Sequence, residues 1–212
     1  MPPATRTVSV EAVRVDGWLQ RFAASHGPVS WQASAGSVVV TGADGTLAEC
    51  AVPFPPLAAE GKEYGGLVTH VLTRRRVGVL LVRKGGYATA VYDGLDLVAS
   101  KVGSRHVQGR SAAGGWSQQR FARRRDAQAR GAYAAAANWA VTVLLPVADE
   151  LDAVVLGGDR EALKAVLADP RLAPLAPLLV EERLEVPEPN RKLLLELPKR
   201  LGAVRIKVTD PD

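Results

Sequence analysis

Gly109–Arg125 reads G-R-S-A-A-G-G-W-S-Q-Q-R-F-A-R-R-R, and the fold of the chain turns on how this stretch is understood. It starts as a run of small residues that cannot bury a core and ends as an arginine-studded helix start. Between the two lie adjacent glycines, Trp116, and the pair Gln118-Gln119. A loop so poor in bulk rarely carries an isolated tryptophan. The cations that follow, Arg120, Arg123, Arg124, Arg125 and Arg130, have one nearby acid, Asp126.

Outward from this segment, the pattern predicts an α/β (α+β) protein. Upstream, Arg76–Val82, Tyr87–Tyr92 and Asp96–Val102 are β-branched runs separated by Lys84-Gly85-Gly86 and Asp93-Gly94, the signature of an antiparallel meander. The loop Gly103–Trp116 follows. A long helix then begins near Ser117, a residue suited to the N-cap, passes through the alanine-rich Tyr133–Leu145 and bends at Pro146. Further on, Ala153–Leu156 reads as a strand, Gly157-Gly158 as a tight turn, and Asp159 as the cap of a helix over Arg160–Leu167. Val180–Val186 is expected as a strand, Pro189–Leu201 as a helix, and Val204–Val208 as a last strand with Val204, Ile206 and Val208 on one face. The result is a mixed β-sheet with flanking helices.

Before it, a small α/β N-terminal unit is expected. Val8–Val10 reads as a strand, and Glu11–His26 as a helix with Val13, Trp18, Leu19 and Phe22 on its apolar side, stopped by Gly27-Pro28. Strands over Val29–Ala33, Ser37–Thr41 and Thr46–Val52 follow, the last two joined by the hairpin signal Gly42-Ala43-Asp44-Gly45. Pro53–Pro56 and the residues to Gly66 read as a linker. The expected domains are therefore 1–66 and 67–212.

Composition sets further limits. The 212 residues, 47% hydrophobic and 23% charged, suit one large or two small globular domains. The single Cys50 excludes an intrachain disulfide framework and fits a reducing compartment. No apolar leader is visible at the N-terminus, and the apolar run Ala132–Val147 reads as too short for a bilayer. A soluble, cytoplasmic monomer is expected. The excess of five positive charges lies in the middle of the chain, in Arg74-Arg75-Arg76, Arg83-Lys84, Arg105, Arg110 and the arginines after Gln119. Such a stripe beside a glycine-rich loop and an aromatic points to nucleic acid rather than to a merely solvated face.

Conventional catalytic sets are thin. His26, His70 and His106 have no metal-ligand spacing, and H-E-x-x-H, C-x-x-C and G-x-S-x-G are all absent, so neither metal nor cofactor is expected. Gly157-Gly158-Asp159-Arg160 lacks the phosphate-loop lysine and reads as turn plus cap. What remains is a site with no titratable catalyst. Gly114 and Gly115 permit close backbone approach, while the neutral amides of Gln118 and Gln119 can donate and accept at once, orienting a water and stabilising an oxyanion. That suits an already activated ester. Arg110, Arg120, Arg123, Arg124 and Arg125 are candidate phosphate contacts. The competing reading is a plain connector before a polar helix.

The run Gly114–Arg125 resembles the central domain of archaeal and eukaryotic class I peptide-chain release factors, in which a G-G-Q tripeptide precedes a helix opening on an R-F-A-R-type sequence. His106 and its basic neighbours resemble that family's K-K-H-G-R, and Leu151–Leu163 resembles the strand–glycine–helix that follows the long helix. The resemblance runs from about Val77 to the C-terminus. Aligned through Arg120–Arg123, the family's glutamine falls on Trp116. Gly115-Trp116-Ser117-Gln118 instead looks like the G-S-Q-type loop of the VLRF group of release-factor-like peptidyl-tRNA hydrolases, with one inserted tryptophan.

The resemblance implies a hydrolase that frees nascent chains from stalled large ribosomal subunits. Gln118 would position the water, with Gln119 the alternative, and Gly114, Gly115 and Ser117 would supply backbone. Trp116 would either stack on a base or anchor the loop, and rRNA and peptidyl-tRNA would be the partners. Two other outcomes stay open: a nuclease that removes the tRNA 3′ end, and a non-catalytic ribosome- or RNA-binding module.

Overall fold

The computed structural model describes residues 4–58, 62–83, 86–104 and 116–211, with side chains in the last stretch from residue 128 onward. The fold is α+β, with two sheets in two compact units: residues 1–74 with 199–212, and residues 75–198.

In the first unit, β1 (Thr5–Val10), β2 (Val29–Ala33), β3 (Ser37–Gly42), β4 (Leu47–Ala51) and β9 (Val204–Thr209) form an antiparallel sheet ordered β1-β9-β4-β3-β2. The expected hairpin is present. Asp44 Oδ1 accepts from the Thr46 N–H at 2.9 Å, and the Gly42 N–H donates to the Thr46 carbonyl at 2.9 Å. One sheet face packs on α1 (Val15–His26) and α2 (Leu67–Leu72) through Val38, Val40, Cys50, Leu19, Phe22 and Leu67. Gly27, at φ +76°, ends α1 as expected. Burial pushes the Cys50 thiol up to about 12, the state of a small core residue.

Three expectations fail in this unit. Val13 is 70% exposed, because Ala12–Arg14 form a 3-10 turn ahead of α1 and fall out of its helical phase. The segment Pro53–Gly66 does not act as a linker. Leu57 and Tyr64 are buried in the same core as Leu67. The expected 1–66/67–212 division also differs from the structure, because β9 lies between β1 and β4 in the first sheet. Val204, Ile206 and Val208 alternate inward with Arg205 and Lys207 outward, and the inward row completes the N-terminal core.

In the second unit, β5 (Arg76–Val82), β6 (Gly86–Asp93) and β7 (Asp96–Ser104) form the expected meander, and β8 (Ala153–Gly158) pairs parallel with β5, giving the order β7-β6-β5-β8. One face carries α3 (Trp116–Leu144) and α4 (Arg160–Leu167) over Leu80, Val82, Tyr87 and Val91. On the opposite face, Tyr92 donates its hydroxyl to the Leu194 carbonyl at 2.8 Å, fastening α5 (Arg191–Glu196).

The helix α3 lies on the sheet through small residues. Ala132, Ala136, Ala137 and Ala140 are buried, which lets its axis come close to β6. Two polar contacts grip its flanks. On the β7 side, Lys101 Nζ sits 4.2 Å from the centroid of the Trp139 ring, a cation–π contact worth about 0.5–1 kcal/mol at an exposed site. At the preceding residue, Arg171 Nη2 donates to Asn138 Oδ1 at 2.7 Å. Asp169 holds that guanidinium at 2.9 and 2.6 Å, and the arginine in turn lowers the Asp169 carboxyl to about 2.

Beyond Leu144 the chain tightens into a 3-10 helix, Leu145–Glu150, which opens at Pro146. The stretch Gln128–Glu150 is long and apolar enough, by length and composition, to cross a membrane, so the sequence expectation on that point does not hold. Its inner stripe is nevertheless packed on the sheet. Val180–Val186 does not form a strand. Two isolated bridges, Leu179 with Val154 and Leu184 with Gly157, join the chain here to β8, and it bends at Glu181–Glu182 between them. The expected helix Pro189–Leu201 divides into α5, whose N-cap Asn190 accepts from the Leu193 N–H at 2.9 Å, and α6 (Pro198–Leu201). The missing N–H and the ring of Pro198 separate them.

Candidate functional site

Strand direction decides what meets at one end of the second sheet. β7 and β8 both run parallel to β5, so the C-terminal ends of all three share one edge. Ser104 at the end of β7 pairs with Gly86, and Val82 pairs with both Tyr87 and Gly158. Ser104 is the last described residue before Trp116, where α3 begins, and α3 comes beside this edge at Tyr133, 17 residues into the helix.

Arg110, Gly114 and Gly115 lie outside the described residues. Trp116, Ser117, Gln118, Gln119, Arg120, Arg123, Arg124 and Arg125 are placed by their backbone as the first turns of α3. Their side-chain roles lie outside the description, but Ser117 is the second helical position and not the N-cap expected of it, because the helix already begins at Trp116. Trp116, Ser117 and Gln118 hold the first three helical positions, whose N–H groups have no intrahelical acceptor and lie at the positive end of the helix dipole. Helical spacing puts position 118 on the stripe of positions 136 and 140, both buried on the sheet, while position 119 lies about 100° round the axis.

The 29 residues of α3 span about 43 Å, and the seven of β5 about 23 Å. Among the described side chains, burial in α3 begins at Ala132. The helix is therefore much longer than the sheet it covers.

The edge itself is braced by charged residues that the sequence did not single out together. Arg83 Nη1 donates to the Val186 carbonyl at 2.9 Å, and its Nε faces Asp159 Oδ1 at 3.4 Å. Arg183 Nη1 donates to the Gly158 carbonyl. Asp159 occupies the N-cap position of α4 but makes no side-chain cap, contrary to expectation, and its carboxylate faces Arg83 instead. Gly158, at φ +102°, is required here, because a Cβ would run into the Val82 carbonyl. Tyr133 of α3 is close enough to this edge to feel it. Burial first, and then the Asp159 charge, raise its hydroxyl pKa. No sequence signal links residues 83, 159 and 183. Parallel pairing of β5 with β8 brings the first two together, and the bridge at Leu184 adds the third.

The expected basic stripe is divided. Arg76 opens β5 at the opposite end of the sheet, where its N–H donates to Asp152 Oδ2 at 2.6 Å and its guanidinium pairs with Glu150. Burial lowers the pKa of the neighbouring Arg75, with Asp152 opposing. Those arginines belong to a mixed-charge corner and not to the edge formed by the ends of β5, β7 and β8. Two of the histidines have local partners, His26 Nδ1 with Asp44 at 2.8 Å and His70 Nε2 with the Pro53 carbonyl at 2.8 Å. No group of metal ligands occurs among the described residues.

Among solved structures, an archaeal translation termination factor, aRF1, is similar over 76% of this chain and 51% of that one, with 14% identity and a TM-score of 0.39. A structure described only as an archaeal protein gives 15% identity over 75% and 48%, with the same score. The chain spans about half the length of each. No match occurs among curated proteins. The model of the Actinobacteria/chloroflexi VLRF1 release factor family matches residues 75–207, from the second unit into β9 of the first sheet. With well over half its length matched, the chain belongs to the VLRF1 release factor family.

Proposed function

We propose that this protein is a cytoplasmic, monomeric peptidyl-tRNA hydrolase that releases nascent chains from stalled large ribosomal subunits. The observation that carries the reading is the position of Gln118 in the first turn of the long helix α3, in a chain of the release-factor family. The reaction is transfer of an acyl group to water. Water attacks the peptidyl ester carbon, the bond to the tRNA 3′ ribose oxygen breaks, and a proton passes to that oxygen. Gln118 holds the water through its neutral amide, and the unpaired N–H groups of the first turn face the developing oxyanion. Gly114 and Gly115 let the backbone approach, with Gln119 and Ser117 beside it. Arg110, Arg120, Arg123, Arg124 and Arg125 grip the phosphates of rRNA or the tRNA acceptor end, and Trp116 stacks on a base.

Purified large subunits carrying peptidyl-tRNA provide the test. Mass analysis of the released product is expected to show a peptide with a free C-terminal carboxylate. Attached nucleotides would instead establish a nuclease, and binding without any turnover would establish a passive RNA-binding module. Neutralising Arg123, Arg124 and Arg125 together should flatten the salt dependence of binding, by about one log–log unit for each phosphate no longer neutralised.

A further inference from the structure

We infer that Lys101 and Asn138 are positioning residues that aim the first turn of α3 from a distance, so that the helix works as a lever gripped at its far end. This rests on the hydrolase reading for its catalytic consequence, but not for its mechanics. The stripe that fixes α3 on the sheet is alanine-rich, and small flat contacts resist lifting more than sideways rotation. Rotation is resisted by Lys101 over the Trp139 ring at 4.2 Å on the β7 side and by Arg171 on Asn138 at 2.7 Å. These two grips act on consecutive helix residues, about 100° apart round the axis, and come from different elements. Arg171 is itself held by Asp169, so one jaw is rigid before it meets the helix.

The lever is long. Gln118 precedes Trp139 by 21 residues of continuous helix, about 32 Å. A swing of about 5° at the grip moves the first turn by about 3 Å over that length. A misplacement of about 1 Å at a reacting group can cost on the order of a hundredfold. Two surface contacts with small individual strength thus control geometry far from where they act. Gly131, the one glycine within the helix, lies between grip and tip, so any slack at the grip adds to bending there.

The test pairs distance with turnover in the full chain. Spin labels on Ala127→Cys and Val98→Cys report the aim of the helix against β7, and the buried Cys50 thiol does not compete for label. Lys101→Met combined with Asn138→Ala is expected to broaden the distance distribution and lower kcat about tenfold, with binding to the large subunit unchanged. Lys101→Arg, which keeps a cation over the ring, should restore both. A distance distribution that stays narrow in the double variant overturns the inference. If the distribution broadens but the parent protein releases no peptide, the lever stands and the hydrolase reading falls.

Discussion

Replacing Gln118 with alanine is expected to remove peptide release from stalled large subunits while leaving their binding intact. The size of the effect follows from the chemistry available. The proposed site offers no titratable base, so the attacking water depends on an amide whose oxygen accepts a hydrogen bond from it and whose NH2 donates toward the oxyanion. Loss of a single preorganised donor of this kind costs about 10²–10³ in kcat, and Gln118 is asked to do two tasks. Gln118→Glu keeps the shape but puts a charge where an oxyanion develops, and should be no better than alanine. Gln119→Ala should retain most of the activity, because position 119 lies about 100° round the helix from position 118. Single-turnover release measured beside subunit binding decides the matter. Full release by Gln118→Ala, or its loss in Gln119→Ala alone, would remove Gln118 from the mechanism.

Deleting residues 199–212 is expected to unfold the N-terminal unit, although the deletion lies at the other end of the chain. β9 is the second strand of five, and without it β1 and β4 lose their shared partner. Val204, Ile206 and Val208 are each no more than 1% exposed. Burial of three such side chains contributes about 5–9 kcal/mol, at about 1.5–3 kcal/mol each. That equals a large part of the roughly 5–15 kcal/mol by which a domain is stable at all. Cys50 provides an internal gauge, because its thiol, held at about 12 by burial, should resist alkylation in the full chain and react quickly after the deletion. Ile206→Asp should produce the same exposure without shortening the chain. Continued protection of Cys50 in both variants would show that the sheet survives without β9.

Local order was legible in the residues wherever one physical signal acted alone. The meander of β5, β6 and β7 was visible in β-branched runs punctuated by Lys84-Gly85-Gly86 and Asp93-Gly94, and the hairpin at Gly42–Gly45 in its turn residues. The failures came where two signals compete or where the partner is remote. Val13 fits a helical stripe on paper but precedes the helix in a tighter turn. Val180–Val186 has strand composition, yet the chain bends at Glu181–Glu182 between two isolated bridges to β8. Arg74-Arg75-Arg76 and Arg83-Lys84 read as one basic stripe in sequence. The structure puts Arg76 and Arg83 at opposite ends of β5, with Glu150 and Asp152 beside the former.

The amino-acid sequence by itself determined the α+β class, the long helix opening on Trp116-Ser117-Gln118 and the membership in a release-factor family, because turn chemistry, apolar period and local motifs are written in neighbouring residues. Tertiary structure alone decided that the last strand completes the first sheet and that the ends of β5, β7 and β8 share one edge. It also decided that Lys101 and Arg171 grip the long helix at consecutive residues. The physical reason is the same in each case. Strand pairing and side-chain contact depend on which apolar faces find each other across long separations, and a row such as Val204, Ile206 and Val208 states that it must be buried without stating against what.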